Sequence, residues 1–368
     1  MLETRVARSI HDIGPAAWDA CMVGRLEGFD YLAAVEAAGL PGFDWRYLLV
    51  TDAGRPLAAA PAFLTDYSLA TTLTETGRRL VAATRRLAPR AFTLRLAALG
   101  SPCTENIGVG TVPGAEARAN LIDALIDAFE VEAAASGGWL LALKDAPTDD
   151  EALTLAATRR GYQATPGLPA AELDIDFPTI EGYLATLSYA SRKDMRRKLR
   201  GAGSVRVEVR TDLHGLEERA FDLYRQTRAR SDLQFEELTV AYFTGVLAGM
   251  GGRVLCPCYF LGDELIGFNL LLRDDKALLD KFFCMESLRG PKHDLYFLSW
   301  FTNIGLCLEH GLTSYRSGQA GYGTKLRLGS RLVGAQMMFR HRHGLVNGAL
   351  RLAAPWLADD PVPLRGAA

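Results

Sequence analysis

Five places in the chain hold residues suited to chemistry. Arg316-Ser317-Gly318-Gln319-Ala320-Gly321-Tyr322-Gly323-Thr324-Lys325 sets three glycines in six residues ahead of a helical pattern. Glycine lets the backbone come close to a ligand, and free N–H groups at a helix start favour anions. Arg316 and Lys325 add charge there, Gln319 an amide and Tyr322 a hydroxyl. Asp280 and Lys281 interrupt the apolar run Ala277 to Cys284, and a charge in a core strand is costly without a partner. Strand alternation puts the two on opposite faces, so one of them is expected to line a site. His293 lies between Lys292 and Asp294, where a helix dipole can hold an imidazole near neutral. Glu105 follows a strand end on the polar turn Gly100 to Asn106. Arg192 and Arg196, four apart, can grip one anionic group from a helix face. The chemistry on offer is proton transfer beside an anion-binding turn. The plainer reading is a glycine turn shaped for conformation, with exposed charges around it.

The elements that must position these residues read as α/β. Val254 to Leu261, Leu265 to Arg273 and Ala277 to Cys284 are strand-length apolar runs split by Gly262-Asp263-Glu264 and Asp274-Asp275-Lys276. That pattern is an antiparallel meander. A helix is expected from Lys292 to His310, stopped by Gly311, then a strand at Thr313 to Arg316 and a final strand from Arg331 to Arg342. Ser188 to Gly201 is a basic helix with Met195 and Leu199 inward. The first half repeats the order of helix, helix and hairpin, the hairpin turning at Asp52-Ala53-Gly54-Arg55. Two copies of one fold are expected, over 1–175 and 176–345, with a flexible tail at 346–368. Arg78, Arg79, Arg85 and Arg86 share one helical face, as in helices that lie on anionic membranes.

Composition bounds the rest. The chain has 368 residues, 49% hydrophobic and 23% charged, with a net charge of −2. This is an ordinary globular composition, and it argues against a surface built throughout to grip nucleic acid. None of the six cysteines forms a CxxC pair, and no Cys/His group has zinc spacing, so no metal and reduced thiols are expected. The longest uncharged run, Leu295 to Leu308, is shorter than the roughly 20 residues that span a bilayer. The first residues lack a signal-peptide core. A cytoplasmic protein is expected, peripheral to the inner membrane if the arginine face is used.

The meander, helix, strand and glycine-rich turn resemble the core of the GCN5-related N-acyltransferase (GNAT) fold. The ending Tyr315-Arg316-Ser317-Gly318, Lys325 and Gly329, with the basic segment Leu187 to Arg200, resembles the Fem-like branch, in which two such domains are fused. The resemblance implies two tandem domains, each a largely antiparallel sheet flanked by helices. It implies an N-acyltransferase taking an acyl group from acyl-CoA or acyl-carrier protein to a primary amine. Glu105 would then face the inter-domain cleft, and Glu105, Asp280, His293 and Tyr322 are the catalytic candidates. Arg192, Arg196, Lys281, Arg316, Gln319 and Lys325 are the donor-binding candidates. The chain is also similar to bacterial ceramide synthases, which suggests a lipid-like amine such as a sphingoid base. Phe260, Phe268, Phe282, Phe283, Phe297 and Trp300 are the residues that would line an apolar channel. One motif departs from the family: the phosphate loop Q/R-x-x-G-x-G/A is replaced by Glu286 to His293. Aminoacyl-tRNA-dependent transfer to a cell-envelope precursor, or a non-catalytic binding role, are the alternatives.

Overall fold

The computed structural model describes residues 1–68, 93–114, 118–231 and 235–357. In the first half, β1 (Leu2–Ala7) leads through α1 (Pro15–Cys21) and α2 (Phe29–Ala37) into the hairpin β2 (Phe43–Asp52) and β3 (Arg55–Ser68). β4 (Thr93–Leu99), β5 (Gly110–Thr111), α3 (Arg118–Ala135), β6 (Leu140–Pro147), α4 (Glu151–Arg159) and β7 (Gln163–Pro166) follow. The junction supplies β8 (Ala170–Asp174) and α5 (Ile180–Thr186). Next come α6 (Tyr189–Gly201), β9 (Val205–Arg210), α7 (Glu217–Arg228) and α8 (Val240–Gly249). The meander is β10 (Val254–Leu261), β11 (Glu264–Arg273) and β12 (Ala277–Met285). After it stand α9 (Arg289–Lys292), α10 (Leu295–Glu309), β13 (Ser314–Arg316) and α11 (Tyr322–Arg327). β14 (Arg331–Val333), β15 (Ala335–His341) and α12 (Gly344–Leu357) end the described chain.

Two sheets result, in the orders β1-β2-β3-β4-β6-β15-β7 and β9-β10-β11-β12-β13-β8-β14. Each takes its sixth strand from outside its own run of strands. β8, from the junction, pairs with β13 and β14 in the second sheet, while β15, from the end of the second half, pairs with β6 and β7 in the first. The crossing point is Gly334, where a Cβ would lie 3.0 Å from Thr148 Oγ1. The expected single strand Arg331 to Arg342 is therefore two strands serving different sheets. The expected split at 175/176 likewise leaves β8 on the far side of its own sheet.

Local chemistry sets the element ends. Ser188 Oγ accepts from Ser191 N to cap α6, and Thr239 caps α8 while donating to Ala38 O of the first half. One apolar core runs through both halves. Tyr31 and Val35 of α2 pack with Tyr242, Phe243 and Val246 of α8, all buried. Tyr31 Oη donates to Cys103 O and lies 2.9 Å from Tyr242 Oη. Each apolar side chain buried at this depth contributes about 1.5–3 kcal/mol, so the halves are held as one body.

Three other expectations change. The apolar helix starts at Leu295, not Lys292, because Asp294 takes a left-handed φ of 50° and breaks it from α9. The segment expected as a flexible tail begins as α12. The arginine-rich face of 78–90 lies outside the described residues. No helix among the described residues is long and apolar enough to cross a membrane.

Candidate active site

A cavity of about 960 Å³ lies between the halves, lined from the first by Glu105, Lys144 and Asp145 and from the second by Asp280, Lys281 and Lys325. A register shift makes this possible. β12 pairs Asp280 with Leu271 and Phe282 with Leu270 of β11, leaving Lys281 as an extra residue. A β-bulge re-aims side chains, so Asp280 and Lys281 both reach the cavity, against the expectation that they must face opposite ways. A second bulge, Lys144–Asp145 opposite Met337, does the same in β6, where Asp145 has a left-handed φ of 53°.

Asp280 meets three hydrogen-bond donors. Its Oδ1 accepts from Asn269 Nδ2 at 2.9 Å, and its Oδ2 from Asn303 Nδ2 and Tyr315 Oη, each at 3.1 Å. Burial pushes its carboxyl up to about 6, against the pull of Asn269, Tyr315 and Lys325. Glu105 is also raised, first by burial, while Lys281 and Lys325 draw it down. Its carboxylate forms no hydrogen bond or ion pair among the described residues, and the Cβ position of Gly318 lies 3.3 Å from its Oε1. Gly318 has φ +79°, so a side chain there would be strained as well as crowded.

Lys325 is buried, and burial lowers its pKa while Asp280 and Glu105 raise it. Its Nζ donates to the carbonyls of Ser317 and, at 3.1 Å, Gly318, clamping the glycine turn. Gln319 lines the cavity and donates to Leu168 O at 2.9 Å. Lys281 makes no ion pair among the described residues and lies 5.7 Å from the Phe282 ring.

The remaining expected residues sit elsewhere. His293 follows α9, with Nδ1 3.3 Å from Ser204 Oγ, and does not line the cavity. Tyr322 donates to Pro169 O at 2.9 Å, its phenol pushed up to about 12 by burial and then by Glu105 and Asp145. Arg316 points outward, 3.9 Å from Glu172. Arg192 donates to Ala185 O, and Arg196 pairs with exposed Glu181 at 2.7 Å. Phe282, Phe283, Phe297 and Trp300 wall the cavity, whereas Phe260 and Phe268 are core. Lys325, expected to bind the donor, is held by the carbonyls of Ser317 and Gly318.

Five residues of the site are not anticipated from sequence: Lys144, Asp145, Asn269, Asn303 and Tyr315. Asn269 is a visible signal, a lone amide inside LIGFNLLLR, as is Asn303 inside an apolar helix. Lys144–Asp145 gives none, because only its bulge aims it inward.

The turn that would hold a coenzyme-A pyrophosphate does not fit it. Gly290 N, His293 N and Asp294 N bond to Glu286 O, Arg289 O and Pro291 O, and Pro291 has no N–H. Arg289 is tied to Glu264 and Glu286. No group of metal-ligating side chains forms among the described residues.

Residues 190–325 match the family described as acetyltransferase (GNAT) domain. No curated protein matches the sequence. Among solved structures the chain is similar to FemX, at 12% identity and a TM-score of 0.62, covering 95% of this chain and 100% of that one. It is similar to a tandem GNAT protein from the clavulanic acid biosynthesis pathway at 14% identity and TM-score 0.53, covering 93% and 98%. L-PGS from Bacillus licheniformis follows at 11% and 0.52, covering 89% and 95%. At these identities the likeness is one of fold, and it spans both sheets. Residues 190–325 are thus similar to the acetyltransferase (GNAT) domain family, and across both halves the chain shares the fold of FemX and of the tandem GNAT protein.

Proposed function

We propose that the chain transfers an acyl group from a thioester donor to a primary amine in the cleft between its halves. The observation that carries this reading is the pair of carboxylates, Glu105 and Asp280, brought from different halves to one cavity with an aromatic wall. Glu105, unpaired and raised, accepts the proton of the incoming amine. Asp280 remains an anion and draws the ammonium form into the cleft. Among the described residues no strand pairs with the edge of β12 beyond β13, and its backbone N–H groups polarise the acyl carbonyl. The C–N bond forms, the C–S bond breaks, and Lys281 supplies the proton for the departing thiolate. Lys325 acts through the turn it clamps and through its charge. The aromatic wall suits a lipid-like amine such as a sphingoid base, taken from the inner face of a membrane, with the arginines of 78–90 as the contact.

Acyl-CoA is the co-substrate typical of the fold, and acyl-carrier protein is the other thioester source. The closed α9 turn favours a second reading, a Fem-like aminoacyl-tRNA-dependent transfer onto a cell-envelope precursor, because it offers no open row of donors to a pyrophosphate. Mass spectrometry of products after incubation with long-chain acyl-CoA, acyl-carrier protein or aminoacyl-tRNA, each with sphingoid and peptide amines, separates them. Acylated sphingoid base from a thioester supports the first reading. Product from aminoacyl-tRNA alone replaces it with the second.

A further inference from the structure

Behind Asp280 lies more polar structure than the fold requires. Asn269 is the sole polar side chain between Glu264 and Arg273 of β11, and it is fully buried. Ser299 and Asn303 lie four apart on α10, so they project one above the other from the same helix face. Tyr259 Oη donates to Asn269 Oδ1 at 2.8 Å and Ser299 Oγ donates to it at 3.0 Å. A carboxylate only accepts, so these contacts leave the Asn269 amide one orientation, with Nδ2 on Asp280. Asn303 Nδ2 is shared between Asp280 Oδ2 and Tyr315 Oη, at 3.1 and 2.9 Å. Its other end is anomalous: Asn303 Oδ1 is buried with no hydrogen-bond partner among the described residues. An unsatisfied buried acceptor destabilises a fold, and a leucine of similar size would avoid it.

We propose that Asn269 and Asn303 are positioning residues that hold Asp280 as an anion in one orientation. The inference rests on the transfer reading above for what that anion is used for, but not for its geometry. Three donors meet the carboxylate and no acceptor does. The charged and titratable groups facing it are Lys325 from α11, Glu105 from the turn after β4, Tyr315 from β13, Tyr296 from α10 and Tyr259 from β10. On its own strand stand Lys281 and Cys284, and Arg230, just beyond α7, lines the same cavity. Hydrogen bonds to the charged form lower a carboxyl's pKa, so removing a donor raises it.

The test is a carbon-13 titration of the aspartate carboxyls in the full chain, with the Asp280 signal identified by its loss in Asp280→Asn. Asn303→Leu should raise the Asp280 midpoint by about one pH unit, since a lost charge-assisted hydrogen bond is worth that much. The acid limb of kcat/KM should move up by the same amount, while Tm holds or rises because the orphaned oxygen is gone. Asn303→Ala removes the same donor without added bulk and covers the case in which the leucine misfolds. An unchanged midpoint in either folded variant overturns the proposal. A raised midpoint in an enzyme that acylates no amine supports the positioning role and rejects the transfer reading.

Discussion

The two halves have the same strand order but opposite treatments of the place where the fourth and fifth strands part. In the first half β4 ends at Leu99 and pairs with β6 through Leu143. The chain then turns back at Gly100, and Ile107 N bonds to Asp145 O across the gap. A Cβ on Gly100 would lie 3.3 Å from Lys144 Cβ, so the loop fills the opening. In the second half β12 pairs with β13 only through Leu279 and then runs on to Met285 along the cavity, with no further strand on that edge among the described residues. The filled gap becomes a donor of side chains, and the open gap becomes the cavity. What the first half lacks as a site of its own it returns as Glu105, Lys144 and Asp145.

Glu105→Gln puts this contrast under the heaviest load. If the second half acted alone, the substitution would be silent. With Glu105 as the base, kcat should fall by about 10²–10⁴-fold while the melting curve stays put. Turnover assays beside circular-dichroism melts read both quantities. Lys325→Met should come next, through stability. It leaves the Ser317 and Gly318 carbonyls short of their donor, which costs about 1–3 kcal/mol in denaturant unfolding and loosens the turn against Glu105. A variant as stable as the parent would mean that the turn holds its shape without the clamp.

The halves also differ in their expected responses to pH. Asp280 is raised to about 6, above the roughly 3.9 of an unfolded aspartate, so it binds more protons folded than unfolded between those values. Its contribution is therefore fully present below about pH 4 and is lost as pH rises through 6, a change of about 2–3 kcal/mol at most. In the first half, burial pushes Asp150 up, but Arg118 and Leu153 N outweigh it and hold it low. That contribution is present at neutral pH and is lost as pH falls through the depressed value. Asp280→Asn should flatten the pH 4–6 region of the unfolding free energy, and Asp150→Asn the region below it.

Much of this architecture is legible in the amino-acid order. The meander runs are delimited to within a few residues, because Gly262 and Asp274 are turn residues and the runs between them are apolar. Glu105, Asp280, Lys281, Gln319 and Lys325 all reach the cavity. What stays hidden depends on long-range pairing. Strand alternation forbids Asp280 and Lys281 from sharing a pocket, and only a register shift against β11 allows it. The crossing of β15 into the first sheet likewise has no local signature, since it reads as an ordinary strand wherever it pairs. Arg192, Arg196, Arg316 and His293 stand out by charge alone, and charge on an exposed face carries no direction.

Those residues give the smallest expected effect. Arg192 reaches Ala185 O, Arg196 reaches Glu181, and Arg316 stands 3.9 Å from Glu172, all away from the cavity. Exposed pairs of this kind contribute about 0.2–1 kcal/mol. Changing each arginine to glutamine should leave Tm nearly unmoved and alter KM for a small thioester donor by less than about twofold, which roughly 0.4 kcal/mol corresponds to. A polyanionic donor gives a finer contrast. A nucleic acid or acidic carrier protein is long enough to touch α6 outside the cavity while its acyl end lies within. For such a donor the arginine changes would raise KM several-fold and reduce its salt dependence, because fewer ion contacts would be screened. Measured side by side on one preparation, small and macromolecular donors thus show whether the site ends at the aromatic wall or extends along α6. Equal, unaltered KM values confine it to the cleft that the two halves build together.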